Sequence, residues 1–277
     1  MKINYYLKLL LATLILPVLY FLYDLIFKSP TTPNSMHILW GFLSNILVVI
    51  TLGFYVSYST LRRFKLALAV FLIYYIIGHF NILIEAYIFN VTGRVDTSKK
   101  MLQGLIIVSL FSPIFVYIFD KWDGQSKSIK FGYRAAFNWV WRVFLGTFLY
   151  LIFYFTAGLI LQAVYPALMD FYKDKIPPFD LMIFTQFPRG ILFVMIAIFI
   201  LRTINLPLIK KALLVGLVFS ILGAIAPLIP PNEFMPGNIR FVHGFEVGIS
   251  NFLYGLLLGY LFGQKTQNEK LTAANNI

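Results

Sequence analysis

Apolar residues run along this chain in stretches of about twenty, separated by short segments holding Pro, Asn, Gly, Lys and Arg. About twenty apolar residues at 1.5 Å per residue cross the hydrocarbon core of a bilayer as a helix. The pattern predicts eight spans: 5–27, 36–58, 64–89, 101–119, 140–164, 182–203, 212–229 and 241–263. The fold class is therefore all-α, a polytopic integral membrane protein. A single transmembrane domain fills 1–277, with a polar cytoplasmic tail at 264–277. The first apolar run is longer than the core of a signal peptide and lacks a small-residue cleavage site, so it reads as a retained span. Pro17 and Pro113 fall inside spans. Pro188, Arg189 and Gly190 interrupt the sixth run, which leaves two readings: a span starting near Gly190, or a broken helix that carries Arg189 into the membrane. The segment 120–139 is partly amphipathic and suits the interface. No internal repeat is visible by inspection.

Polar positions inside the spans are few, and the last span concentrates them. His243, Glu246 and Ser250 fall within roughly 60° of one another on an ideal helix, with Asn251 beside them. Gly244, Gly248, Gly255 and Gly259 form a second stripe of the small-x-x-x-small kind, expected to pack against another helix, in the same chain or in a second copy. The third span holds His79, Asn81 and Glu85, and the second begins with His37. Asp24 ends the first span.

Charge sets the orientation. The N-terminus, the second, fourth and sixth loops and the tail carry fifteen Lys and Arg, against eight in the other loops. The positive-inside rule then puts both termini in the cytoplasm of a cell membrane. Trp40, Trp122, Trp139 and Trp141 lie near predicted span ends, as an aromatic belt requires. A net charge of +12 would suggest nucleic acid in a soluble protein. Here the bases sit in loops beside the bilayer and suit anionic lipids, so no nucleic-acid partner is expected. The mean hydropathy is +0.81 and there is no Cys, which removes thiol catalysis and thiolate metal sites.

With this topology Asp24, His79, Asn81, Glu85, Arg189, His243 and Glu246 all fall in the extracytoplasmic half. Ionisable groups there are costly unless paired or hydrated, and by default mark function. The alternative is a structural lock in which Arg189 bridges Glu246 or Glu85. The expected site joins Glu246 and Arg189 with His243 and at least one of His79, Asn81 or Glu85; Ser250 and Asn251 lie one turn deeper. His243-x-x-Glu246, supplemented by His79, is a weak metal alternative. No cofactor motif is present. Asn90-Val91-Thr92 fits a glycosylation sequon, and the loop 230–238 is a candidate cover for the site. The leading functional expectation is a permease or transporter for an unspecified small molecule or lipid. The alternatives are a membrane-embedded enzyme acting on a lipid-borne substrate from the outer leaflet, and an accessory subunit of a membrane complex. A homo-oligomer is compatible with all three.

Overall fold

The computed structural model describes residues 4–27, 35–91, 93–127, 133–166, 170, 171, 173, 176–231 and 235–264. The tail beyond 264, Thr92 of the sequon, Asn232 to Phe234 of the covering loop, and 128–132 of the interfacial connector lie outside those residues. Among the described residues eight helices are long and apolar enough to cross a membrane: α1 (Tyr5–Phe27), α2 (Met36–Tyr58), α3 (Arg63–Ile88), α4 (Arg94–Ile118), α5 (Ala136–Val164), α6 (Phe179–Thr203), α7 (Leu208–Leu228) and α8 (Gly237–Phe262). Helices are the form that satisfies every backbone donor within one segment, which is why apolar runs of this length adopt them in lipid. The chain is thus a multi-pass membrane protein.

Two boundaries differ from the sequence reading in an instructive way. Helix α4 starts at Arg94 rather than near Met101, because Arg94 to Lys100 add two polar turns ahead of the apolar run. Helix α6 runs unbroken through Pro188.

Within α3 and α7 the winding loosens into a single π-turn, at Ile76–Phe80 and Ile221–Ile225. The two turns pack against each other. A Cβ on Gly78 would lie 3.4 Å from the carbonyl oxygen of Leu222, and one on Gly223 would lie 3.9 Å from that of Ile77. Glycine permits this close approach of the two backbones.

These π-turns reveal a repeat that inspection of the sequence missed. The offset that carries Ile76 to Ile221 also carries α2 onto α6, α3 onto α7 and α4 onto α8 to within a few residues. It aligns Phe42 with Phe187, Leu47 with Leu192, Val49 with Val194, Phe54 with Phe199, Lys65 with Lys210, Ala67 with Ala212 and Gly78 with Gly223. The packing repeats as well. Helix α1 lies on α2 and α4 as α5 lies on α6 and α8, and α2 meets α7 as α6 meets α3. Ser59 and Ile204, equivalent under the same offset, face each other in an antiparallel bridge. Thr60 N–H donates to the Thr203 carbonyl at 2.8 Å, and Asn205 N–H donates to the Tyr58 carbonyl at 3.1 Å, one bond being the image of the other. A residue that pairs with its own equivalent lies on a twofold axis. The axis runs between α3 and α7, along the bundle. The first and fifth helices fall out of the common register, and the shared residues are mostly the apolar ones common to every span. That is why the repeat was hidden.

Candidate functional site

The end of the bundle opposite the Ser59–Ile204 bridge holds three groups of polar side chains. The first surrounds Arg189, which is buried in α6. Its Nη1 pairs with the Glu85 carboxylate of α3 and donates to Gln186 Oε1 at 2.6 Å. Its Nε donates to the Asn81 carbonyl at 2.8 Å. Gln186 Nε2 and the Tyr154 hydroxyl both donate to Glu85 Oε1, at 2.9 and 3.0 Å. The Tyr150 hydroxyl donates to Gln186 Oε1 at 3.3 Å, and the guanidinium carbon of Arg189 lies 5.9 Å from the Tyr150 ring centre. A charge in the bilayer interior is tolerated when it is paired and its remaining lone pairs are satisfied. Here the charge is paired and Glu85 accepts from three donors, while Asn81 Nδ2 is buried without a hydrogen-bond partner among the described residues. The ion-pair partner of Arg189 is Glu85, not Glu246.

The second group is His243 and Glu246, one turn apart on α8. Nδ1 and Oε2 are 3.2 Å apart, with the side chains 29% and 14% exposed. The Glu246 charge also acts on Tyr150 of the first group. Ser250 is half-buried one turn on. Asn251 is buried, and its Nδ2 donates to the Phe219 carbonyl at 3.4 Å, just ahead of the π-turn of α7.

The third group lines a cavity of about 1170 Å³ between α1, α2, α3, α4 and α7. Its wall is mainly apolar, with Asp24, His37, Asn45, His79, Lys100 and Gln103 interspersed. Gln103 Nε2 donates to Asp24 at 3.4 Å. His79 lies in the π-turn of α3, packed on the rings of Tyr74 and Tyr75 at 5.2 and 6.3 Å. Its Nε2 is buried with no hydrogen-bond partner among the described residues. Its Nδ1 sits 2.6 Å from where a Cβ on Gly104 would be, so the ring occupies a notch that only glycine leaves open. His79 therefore belongs to the cavity and not to the cluster around Arg189.

The twofold relation connects the first and third groups. Gln186, Arg189, Asn81 and Glu85 correspond to Gly41, Ser44, Ala226 and Pro230, and all four of those counterparts line the cavity. Even one hydrogen bond is retained: Ser44 Oγ donates to the Ala226 carbonyl at 2.7 Å, where Arg189 Nε donates to that of Asn81. One half of the molecule fills this space with a charged network. The other half has small residues there and an open volume. Sequence reading could not find the cavity, because Gly41 and Ser44 carry no signal of their own.

The glycine stripe of α8 faces α7. A Cβ on Gly259 would come within 2.3 Å of Ala212 Cα, one on Gly255 within 2.8 Å of Gly216 Cα, and one on Gly248 within 2.9 Å of an Ile225 side-chain carbon. At Gly244 the nearest atom is 3.5 Å away. The stripe is therefore occupied within the chain. Among the described residues no three His, Asp or Glu come together as a metal-ligand set, so His79, His243 and Glu246 do not combine into one. Comparison with known proteins finds no matching protein family, no similar curated protein and no similar solved structure.

Proposed function

We propose that this protein is a permease-like membrane protein that binds an amphipathic, lipid-like molecule in the cavity lined by α1 to α4 and α7. The observation that carries this reading is the contrast between the two halves: the position filled by Gln186 and Arg189 in α6 holds Gly41 and Ser44 in α2, beside an open volume of about 1170 Å³. Small-molecule sites are largely apolar concavities with a few placed polar groups, and this one is at the large end of their range. The apolar wall suits a hydrocarbon portion. Asp24 and His37 lie near helix ends, Lys100 and Gln103 lie within the first three turns of α4, and the four suit a polar head; the buried His79 Nε2 offers one further hydrogen bond. By the excess of basic residues at the opposite end, the cavity belongs to the extracytoplasmic half and both termini are cytoplasmic. Glu85 and Arg189 act in this reading as a strut. Glu246 and His243, which keep partial exposure, are the candidates for proton exchange. Parallel internal repeats related by an axis along the membrane normal also occur in transporters.

A second reading is favoured by the Ser59–Ile204 bridge, which ties the axis shut at the other end. Access from one side suits an enzyme acting on a lipid-borne substrate. Gly41 provides the test of binding, because a Cβ there meets nothing within 4 Å. Gly41→Phe should fold normally and fill the cavity. In nanodiscs, a diazirine-bearing fatty acid should label α2 and α4 of the wild-type protein and label Gly41→Phe much less. Equal labelling of both would refute the reading. Movement of the labelled molecule across proteoliposomes, or a change in its mass, then separates permease from enzyme.

A further inference from the structure

The end that carries the Ser59–Ile204 bridge has a cavity of its own, of about 480 Å³, lined by Arg62, Lys121 and Lys127 with Ser59, Thr60 and Asn205 among its neutral walls. We propose that this basic pocket binds a phosphate group, carried by the headgroup of an anionic lipid or by a free phosphate compound.

Four observations converge on it. Among the described residues no carboxylate lines the pocket. The nearby Asp120 is already paired with Lys8, and Asp123 is exposed outside the lining. Nη1 of Arg62 is buried and has no hydrogen-bond partner among the described residues. A buried guanidinium nitrogen without an acceptor is a cost that an anion inside the pocket removes. The walls are held in place. Lys127 N–H donates to the Thr60 carbonyl at 2.9 Å, Arg62 N–H donates to Ser126 Oγ at 3.0 Å, and Lys121 Nζ donates to the Ser57 carbonyl at 3.2 Å. The positive charge is also crowded: burial, then Arg62 and Lys8, push the Lys121 ammonium below its ordinary pKa.

The chemistry matches phosphate. A guanidinium presents a planar fork of donors to phosphate oxygens, and ammonium groups add point charges. A volume of about 480 Å³ takes a headgroup or a small phosphate compound, not acyl chains. The pocket sits where α2 ends and the chain turns into α3, at the level of the headgroups, so a lipid needs only to place its phosphate there.

The test uses the full chain in neutral detergent, with unfolding followed by scanning fluorimetry. Dioctanoyl phosphatidic acid, dioctanoyl phosphatidylcholine and inorganic phosphate are titrated separately. Phosphatidic acid is expected to raise Tm more than phosphatidylcholine does if the source is a lipid. Inorganic phosphate alone should match phosphatidic acid if the source is a free compound. In Arg62→Gln/Lys121→Gln the apparent affinity should fall about tenfold or more, because two charged hydrogen-bond partners are gone. If that variant does not fold, Lys127→Gln replaces it. Its side chain is exposed, and it should weaken the response without changing basal Tm. Identical titrations of wild-type and variant proteins, or no response to any of the three probes, would overturn the proposal.

Discussion

Arg189 stands in α6 where Ser44 stands in α2, and each donates to the carbonyl of an equivalent residue, Asn81 for Arg189 and Ala226 for Ser44. The same backbone geometry therefore supports a charged network in one half and a hydroxyl beside an empty volume in the other.

Breaking the network from one side should be costly. Arg189→Gln or Glu85→Gln leaves a charge in a buried setting without its partner, for about 3–5 kcal/mol of lost stability. Arg189→Met combined with Glu85→Leu removes both charges and should recover much of that loss. Ser44→Ala, which deletes a neutral hydrogen bond, should cost only about 1 kcal/mol. Thermal or denaturant unfolding in detergent ranks the four variants. An Arg189→Gln protein as stable as Ser44→Ala would show that the pair carries no stability.

Glu246→Gln is expected to behave differently from Glu85→Gln. Glu246 pairs with His243 and keeps 14% exposure. Folded yield should stay close to wild type, while any proton-linked activity is lost. A loss of folded protein equal to that of Glu85→Gln would assign Glu246 a structural role instead.

The interface between α7 and α8 should tolerate no side chain at its tightest points. Gly259→Leu and Gly255→Leu drive atoms into the backbone of Ala212 and Gly216. Overpacking of that kind costs about 1–3 kcal/mol or more. Gly244→Ala, with its nearest neighbour at 3.5 Å, should be close to neutral. Folded yield by fluorescence-detected size exclusion gives the order. If Gly259→Leu and Gly244→Ala are equally tolerated, the packing account fails.

Orientation is open to direct measurement. Reporter fusions after Lys65 and after Gln264 should report the cytoplasm, and one after Asp96 the opposite side. A C-terminal fusion reporting outside would reverse the assignment of the large cavity to the extracytoplasmic half.

The spans were legible because length and hydropathy alone decide which segments can cross a bilayer. The start of α4 was not, since Arg94 to Lys100 extend the helix without being apolar. Asn81, Glu85 and Arg189 could each be singled out as costly residues in a membrane. The Arg189–Glu85 pair was one arm of the structural lock, but the choice between Glu85 and Glu246 could not be read, for two reasons. The π-turn at Ile76–Phe80 advances fewer degrees per residue than an ideal helical wheel assumes, and so turns Asn81 and Glu85 relative to the first half of α3. The partner of Arg189 also depends on which helices adjoin α6. Helix α3 does so because of the twofold arrangement, which the sequence conceals. The cavity left still less trace, because it is defined by the absence of a side chain at Gly41 and by the small hydroxyl of Ser44.

Each repeat contains four membrane crossings, an even number. A chain that crosses four times returns to the side on which it started, so the second unit enters the bilayer in the same sense as the first. Two such units can be joined by a connector on one face, with no extra helix to reverse direction. A symmetric pair of separate four-helix subunits would have to carry the same residue at both equivalent positions. Fusion into one polypeptide removes that obligation. It lets arginine occupy one position and serine the other, so a charged network fills the space in one half while the equivalent space in the other stays open.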